Sequence, residues 1–103
     1  DHMMSRLGLV LAELSGPQLA KLGIKYGLVV QRAMGKAAEA GLQPGDVIIS
    51  VGNDDLSSRN DLKEAIQKAP KGATIALRIL RNQPQIGTVV LYVALPLGGV
   101  HVE

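Results

Sequence analysis

Tyr26 and Tyr92 are the only aromatic residues in a chain of 103, which also lacks phenylalanine, tryptophan and cysteine. That scarcity constrains folding most. Aromatic side chains bury the largest apolar areas, so a core built without them must be assembled from many Leu, Ile, Val and Ala contacts. With 47% hydrophobic and 19% charged residues, the chain has the composition of a folding sequence rather than a disordered one. Its length suits one domain, with a modest core and little chain left over to enclose a deep active site. The lack of cysteine excludes disulfides, thiolate catalysis and zinc–thiolate sites. Composition favours a small binding module over a complete enzyme.

Charge and motif content narrow the function further. Eleven Lys and Arg stand against nine Asp and Glu, a net charge of +2. The signs are interspersed, with neither a basic stripe nor a stacking platform for nucleic acid. No apolar stretch approaches the roughly 18 residues that span a bilayer, so neither nucleic-acid binding nor membrane insertion is expected of this domain. The histidines, His2 and His101, lie near the two ends, and no Gly-x-Ser-x-Gly elbow is present. No catalytic residue, metal site or cofactor is expected. Asp54, Asp55 and Asp61 are close in sequence but lack calcium-loop spacing, and read as acids of a turn and of a helix's first turn. Asp46 reads as a carboxylate that stabilises its own turn.

Residues 1–4 begin Asp-His-Met and resemble a cloning remnant ahead of the domain, which is placed at 5–97 with a loose tail over 98–103. Leu7 to Leu14 alternates, with Leu7, Leu9 and Leu11 on one face, and predicts a strand apolar on both sides. Ser15 with Gln18 three residues on, and Pro17 between them, predicts a capped short helix that stops at Gly23. Gly27 to Met34 predicts a second strand, Lys36 to Ala40 a short helix ending at Gly41, and Gln43-Pro44-Gly45-Asp46 a turn with φ > 0 at Gly45. A third strand, Val47 to Val51, leads to a turn or short hairpin at Gly52-Asn53-Asp54. Arg59 to Ala69 is the clearest helix, its apolar face formed by Leu62, Ala65, Ile66 and Ala69. Ala73–Arg81 and Thr88–Leu97 are two closing strands joined by a polar connection. The predicted class is α+β, a small partly open five- to six-stranded β-barrel or sandwich with two principal helices.

The stretch Gly35-Lys36-Ala37-Ala38-Glu39-Ala40-Gly41-Leu42-Gln43-Pro44-Gly45-Asp46-Val47-Ile48 resembles the signature of PDZ domains, where a glycine, a short alanine-containing helix, Ala-Gly-Leu and Pro-Gly-Asp-x-Ile follow in this order. The resemblance extends over about residues 6–97. Two positions depart from it: Ala37 stands where many members carry proline, and Gly52-Asn53 inverts the usual Asn-Gly turn. The order of elements resembles PDZ domains of bacterial HtrA/Deg-type (protease Do) serine proteases, including their second PDZ copy. The resemblance implies a periplasmic, non-catalytic module that binds C-terminal or exposed hydrophobic segments of unfolded chains. It also implies contacts with the parent's protease domain and a part in regulating recruitment or assembly. The protease motif Gly-Asn-Ser-Gly-Gly is absent.

The resemblance also implies a site. Leu7-Gly8-Leu9 matches the family's carboxylate-binding loop, with Arg6 adding positive charge, directly or through water. The strand from Leu9 through Val10 and Leu11 to Leu14 would pair with an incoming peptide by β-augmentation. Leu7, Leu9 and Leu11 would meet Ile66, with Leu62 on the same helix face, around the last peptide side chain. Arg59 and Lys63 would line the rest of the groove and favour acidic or polar residues upstream. Two alternatives stay open: a PDZ domain of another envelope protease or secretion component, or a docking module that binds no free peptide.

Overall fold

The computed structural model describes residues 2–98, with side chains from Met4 onward; the expectations for His2, His101 and the tail past Gly98 fall outside the described side chains. The chain runs α1 (His2–Leu7), β1 (Leu9–Glu13), α2 (Gly16–Leu22), β2 (Leu28–Ala33), α3 (Gly35–Glu39), β3 (Val47–Val51), β4 (Asp54–Asp55), α4 (Arg59–Lys68), β5 (Thr74–Gln83) and β6 (Gly87–Pro96). The strands form one six-stranded sheet in the order β1-β2-β3-β5-β6, with β4 paired to β3. Every pairing is antiparallel. The sheet is open, so β1 and β6 are both edges, and the α+β class holds.

Local chemistry places most elements. Ser15 caps α2 in a full capping box: its side chain accepts from the Gln18 N–H at 3.3 Å, and Gln18 Oε1 accepts from the Ser15 N–H at 2.9 Å. Gly23 closes the helix at φ 71°. Ser58 caps α4 by accepting from the Asp61 N–H at 3.2 Å. The Gln43–Asp46 turn has Gly45 at φ 96°, and the Asp46 N–H bonds back to the Gln43 carbonyl at 3.1 Å. In the β3–β4 hairpin Val51 pairs with Asp54, and Gly52 alone of the two turn residues has positive φ, 59°. That is the glycine-first pattern of a type II′ turn, which accounts for the inverted Gly-Asn order. Ala37 is fully buried and donates its N–H to the Met34 carbonyl at 3.1 Å, a bond that proline at this position would lose.

Two expectations need correction. The strand predicted from Leu7 begins only at Leu9, because Leu7 ends α1. The helix stops where the Gly8 N–H bonds to the Ser5 carbonyl at 3.0 Å and Gly8 takes φ 86°, which turns the chain into β1. This adds a helix to those read from the pattern, and its Met4 is buried in the core. The connection between the last two strands is also tighter, since Gln83 pairs with Gly87 and leaves a three-residue turn around Gln85 at φ 74°.

The core lies between the sheet and α1, α3 and α4. Leu28, Val30, Ile48, Leu77, Ile79 and Leu95 supply the sheet side; Leu7, Ala37, Leu62 and Ile66 supply the helix side. Aliphatic side chains alone fill it, apart from partly buried Tyr26 at its margin.

Candidate functional site

Among the described residues β1 has a strand neighbour, β2, on one side only. Its period of two decides which groups face the open side. The Gly8 carbonyl accepts from the Met34 N–H at 2.7 Å, so Gly8 and Val10 turn their backbone groups towards β2, and Leu9 and Leu11 turn theirs outward. The first residue of α4 confirms this placement, because Arg59 donates from Nη2 to the Leu11 carbonyl at 3.4 Å. The outward side of β1 at Leu11 therefore lies beside the N-terminal end of α4.

Gly8 is held by geometry as well as by φ. A Cβ there would overlap the carbonyl group of Met34, so only glycine lets α1 run into β1 with β2 this close. Of the loop Leu7-Gly8-Leu9, the Gly8 N–H is already committed to Ser5. Arg6 is exposed on the last turn of α1.

The apolar candidates do come together, but as core. Leu7 has 0% exposure, Leu62 and Ile66 1%, Leu9 2% and Leu11 8%, and all belong to one buried cluster. They are packed core rather than the wall of an open pocket, because a chain without large aromatics must build its core from aliphatic side chains such as these. Val10 points to the opposite face and is 39% exposed. Arg59 is exposed and Lys63 half-buried one turn later, so this face of α4 carries two cations.

Three polar contacts hold the surroundings, and none is visible as a sequence motif. Asp46, almost fully buried, receives Arg81 in a bidentate pair, Nε to Oδ1 and Nη2 to Oδ2, both at 2.8 Å. The same carboxylate accepts from the Gln43 N–H at 2.8 Å, and Arg81 also reaches the Gly41 carbonyl. The turn role expected of Asp46 is thus present, extended by a strand-to-turn clamp. The bond to Asp46 outweighs partial burial and pushes the Arg81 pKa further above its ordinary value. At the far end of β1, the Tyr26 hydroxyl donates to Glu13 Oε2 at 2.7 Å. Burial, then that hydrogen bond and the Glu13 charge, raise the Tyr26 pKa well above its ordinary value. Arg78 bonds Asp55 at 2.7 Å, while Asp61 accepts from the Ser57 N–H, so two of the three clustered acids serve a strand contact and a helix start. Among the described residues no group of three His, Cys, Asp or Glu side chains could hold a metal ion. No helix among them is long and apolar enough to cross a membrane.

Comparison with known proteins gives a consistent picture. A family profile described as "PDZ domain" matches residues 29–81. A probable periplasmic serine endoprotease, DegP-like, of Pseudomonas fulva is 37% identical over 83 residues, 80% of this chain. A protein of the same description from Marinomonas sp. is 30% identical over 79 residues. The chain spans 17% of the length of each of these relatives. Among solved structures, the HtrA-type protease AlgW with decapeptide superposes with a TM-score of 0.68 at 26% identity, covering 89% of this chain and 28% of that one.

Proposed function

The chain belongs to the PDZ domain family, and from that premise we propose that it is the peptide-recognition arm of a DegP-like periplasmic serine endoprotease. In this reading the domain does no chemistry. It takes an extended C-terminal or unfolded segment onto the free edge of β1 and so helps to recruit substrates or to regulate assembly.

The observation that carries the reading is the open side of β1 facing α4. Outward backbone groups at Leu9 and Leu11 suit main-chain pairing, which is tolerant of sequence. The Leu11 carbonyl now holds the Arg59 guanidinium, and a backbone N–H from an added strand would replace it. Arg59 and Lys63 would then face the peptide and favour acidic residues upstream of its end. An apolar terminal side chain would enter by parting Leu7, Leu9 and Leu11 from Ile66, which costs packing contacts and keeps affinity weak. A decapeptide accompanies the related AlgW, which is the kind of ligand this edge suits.

An NMR titration with a short apolar-ended peptide and its C-terminally amidated twin tests the reading. Shifts along Leu7–Glu13 and Arg59–Ile66, weakened by amidation, are the expected result. Equal binding of both peptides would keep β-augmentation and remove the carboxylate loop. No shift with either peptide would overturn the reading in favour of an internal docking role.

A further inference from the structure

We propose that β6, the opposite edge of the sheet, pairs with β6 of a second copy of this chain in an antiparallel, two-fold symmetric continuation of the sheet. β6 is ten residues long and, among the described residues, has β5 as its only strand neighbour. An edge of that length is a template for another strand unless charge, a bulge or a covering element blocks it. Among the described residues the first two are missing from β6: Gly87–Pro96 contains no charged residue, and its ladder with β5 runs without a register shift. Its solvent face carries Val90 and Tyr92, 52% and 73% exposed.

Two hydrogen bonds determine which backbone groups face outward. The Leu97 N–H donates to the Ala73 carbonyl, and the Ala76 carbonyl, on the far side of β5, accepts from the Gly52 N–H. By alternation, Val89, Leu91, Val93 and Leu95 spend their backbone groups on β5. Thr88, Val90, Tyr92 and Ala94 present theirs to solvent. A two-fold axis at Leu91 places Val90 opposite Tyr92 of the second copy and Thr88 opposite Ala94. Each facing pair then consists of outward residues that can exchange both backbone bonds. A single residue of shift would break that parity, so the strand is complementary to itself in this register. The pairing also sets the exposed Tyr92 ring beside Val90, a favourable cross-strand pair.

The choice of a second copy over a different partner rests on charge. A strand with no charge meets an identical strand without like-charge repulsion, and it offers an unrelated charged partner nothing to read. A contact limited to strand edges is smaller than the standard interface of about 1,600 Å², so the dimer should be weak.

Sedimentation equilibrium of the chain up to about 1 mM, the weak end of specific association, should show a monomer–dimer equilibrium. Tyr92→Lys, at an exposed position, should leave the thermal melt unchanged and weaken the dimer at least about tenfold, or 1.4 kcal/mol. With no native cysteine as background, Leu91→Cys should cross-link to its own copy under oxidised glutathione, whereas Thr88→Cys should not. Should Leu91→Cys fold poorly, the exposed double variant Val90→Cys/Tyr92→Cys should cross-link more readily than either single variant, which reports the same register. A monomer at every concentration overturns the proposal. So does a dimer indifferent to Tyr92→Lys, or one in which Thr88→Cys cross-links as readily as the axis position.

Discussion

The two edges of the sheet differ in nearly every respect that governs what an edge can do. β1 is five residues long, and its ladder with β2 slips at Gln31, between the pairs Val10–Arg32 and Leu11–Val30. It is entered through a glycine that nothing else can replace, and a guanidinium lies on one of its outward carbonyls. β6 is twice as long, regular, uncharged and apolar towards solvent. A short strand beside cations, with a bulged neighbour, discourages indiscriminate pairing. A long flat strand favours a symmetric partner. One sheet thus has two edges of different character, so the two proposed pairings need not compete.

The largest test of this contrast is Gly8→Ala. A side chain there meets Met34's backbone at a positive φ, so strain and overpacking together should cost about 4 kcal/mol in urea unfolding. Thr88→Ala on β6 should cost less than about 1 kcal/mol; equal losses would erase the distinction between a built edge and an open one. Next comes Asp46→Ala, which strands Arg81 at 19% side-chain exposure and frees the Gln43 N–H. A loss of about 3 kcal/mol is expected. Amide exchange should quicken at Val30 and Gly45, which bond each other's strand and turn, while β6 amides change little. Because the Arg81 pKa is raised above its ordinary, already strongly basic value, its share of stability is complete below that range and does not vary over accessible pH.

The smallest effect belongs to Tyr26 at the far end of β1. Its pKa is raised in the folded state, so above pH 10 the unfolded chain releases a proton that the folded one retains. Stability should therefore fall as pH rises from 10. Tyr26→Phe should flatten that slope in melts recorded between pH 9 and 11, and should leave the β6 dimer untouched. A slope unchanged by the substitution would detach Tyr26 from the end of β1.

Local signals read well from residues alone because their physics acts within a few positions. The Ser15–Gln18 capping box, the Gln43–Asp46 turn and the α4 face with Leu62 and Ile66 each depend on contacts three or four residues apart. Leu7 misled, since Leu7, Leu9 and Leu11 alternate as a strand would, while the decision to end a helix at Gly8 belongs to Met34, brought there by β2. The Asp46–Arg81 clamp joins residues 35 apart, and Glu13 meets Tyr26 across 13. No periodicity or motif encodes either pair.

By itself, then, the sequence determined an aliphatic α+β domain with a Gly-Lys-Ala-Ala to Pro-Gly-Asp signature, because composition, caps and turns are short-range and additive. It also supplied the residues of the candidate groove. Only the tertiary structure decided that those leucines are buried core, that Arg59 rests on the strand edge, and which backbone groups of β1 and β6 face outward. Burial and strand parity are properties of pairing between distant segments, and they exist only once the sheet has formed.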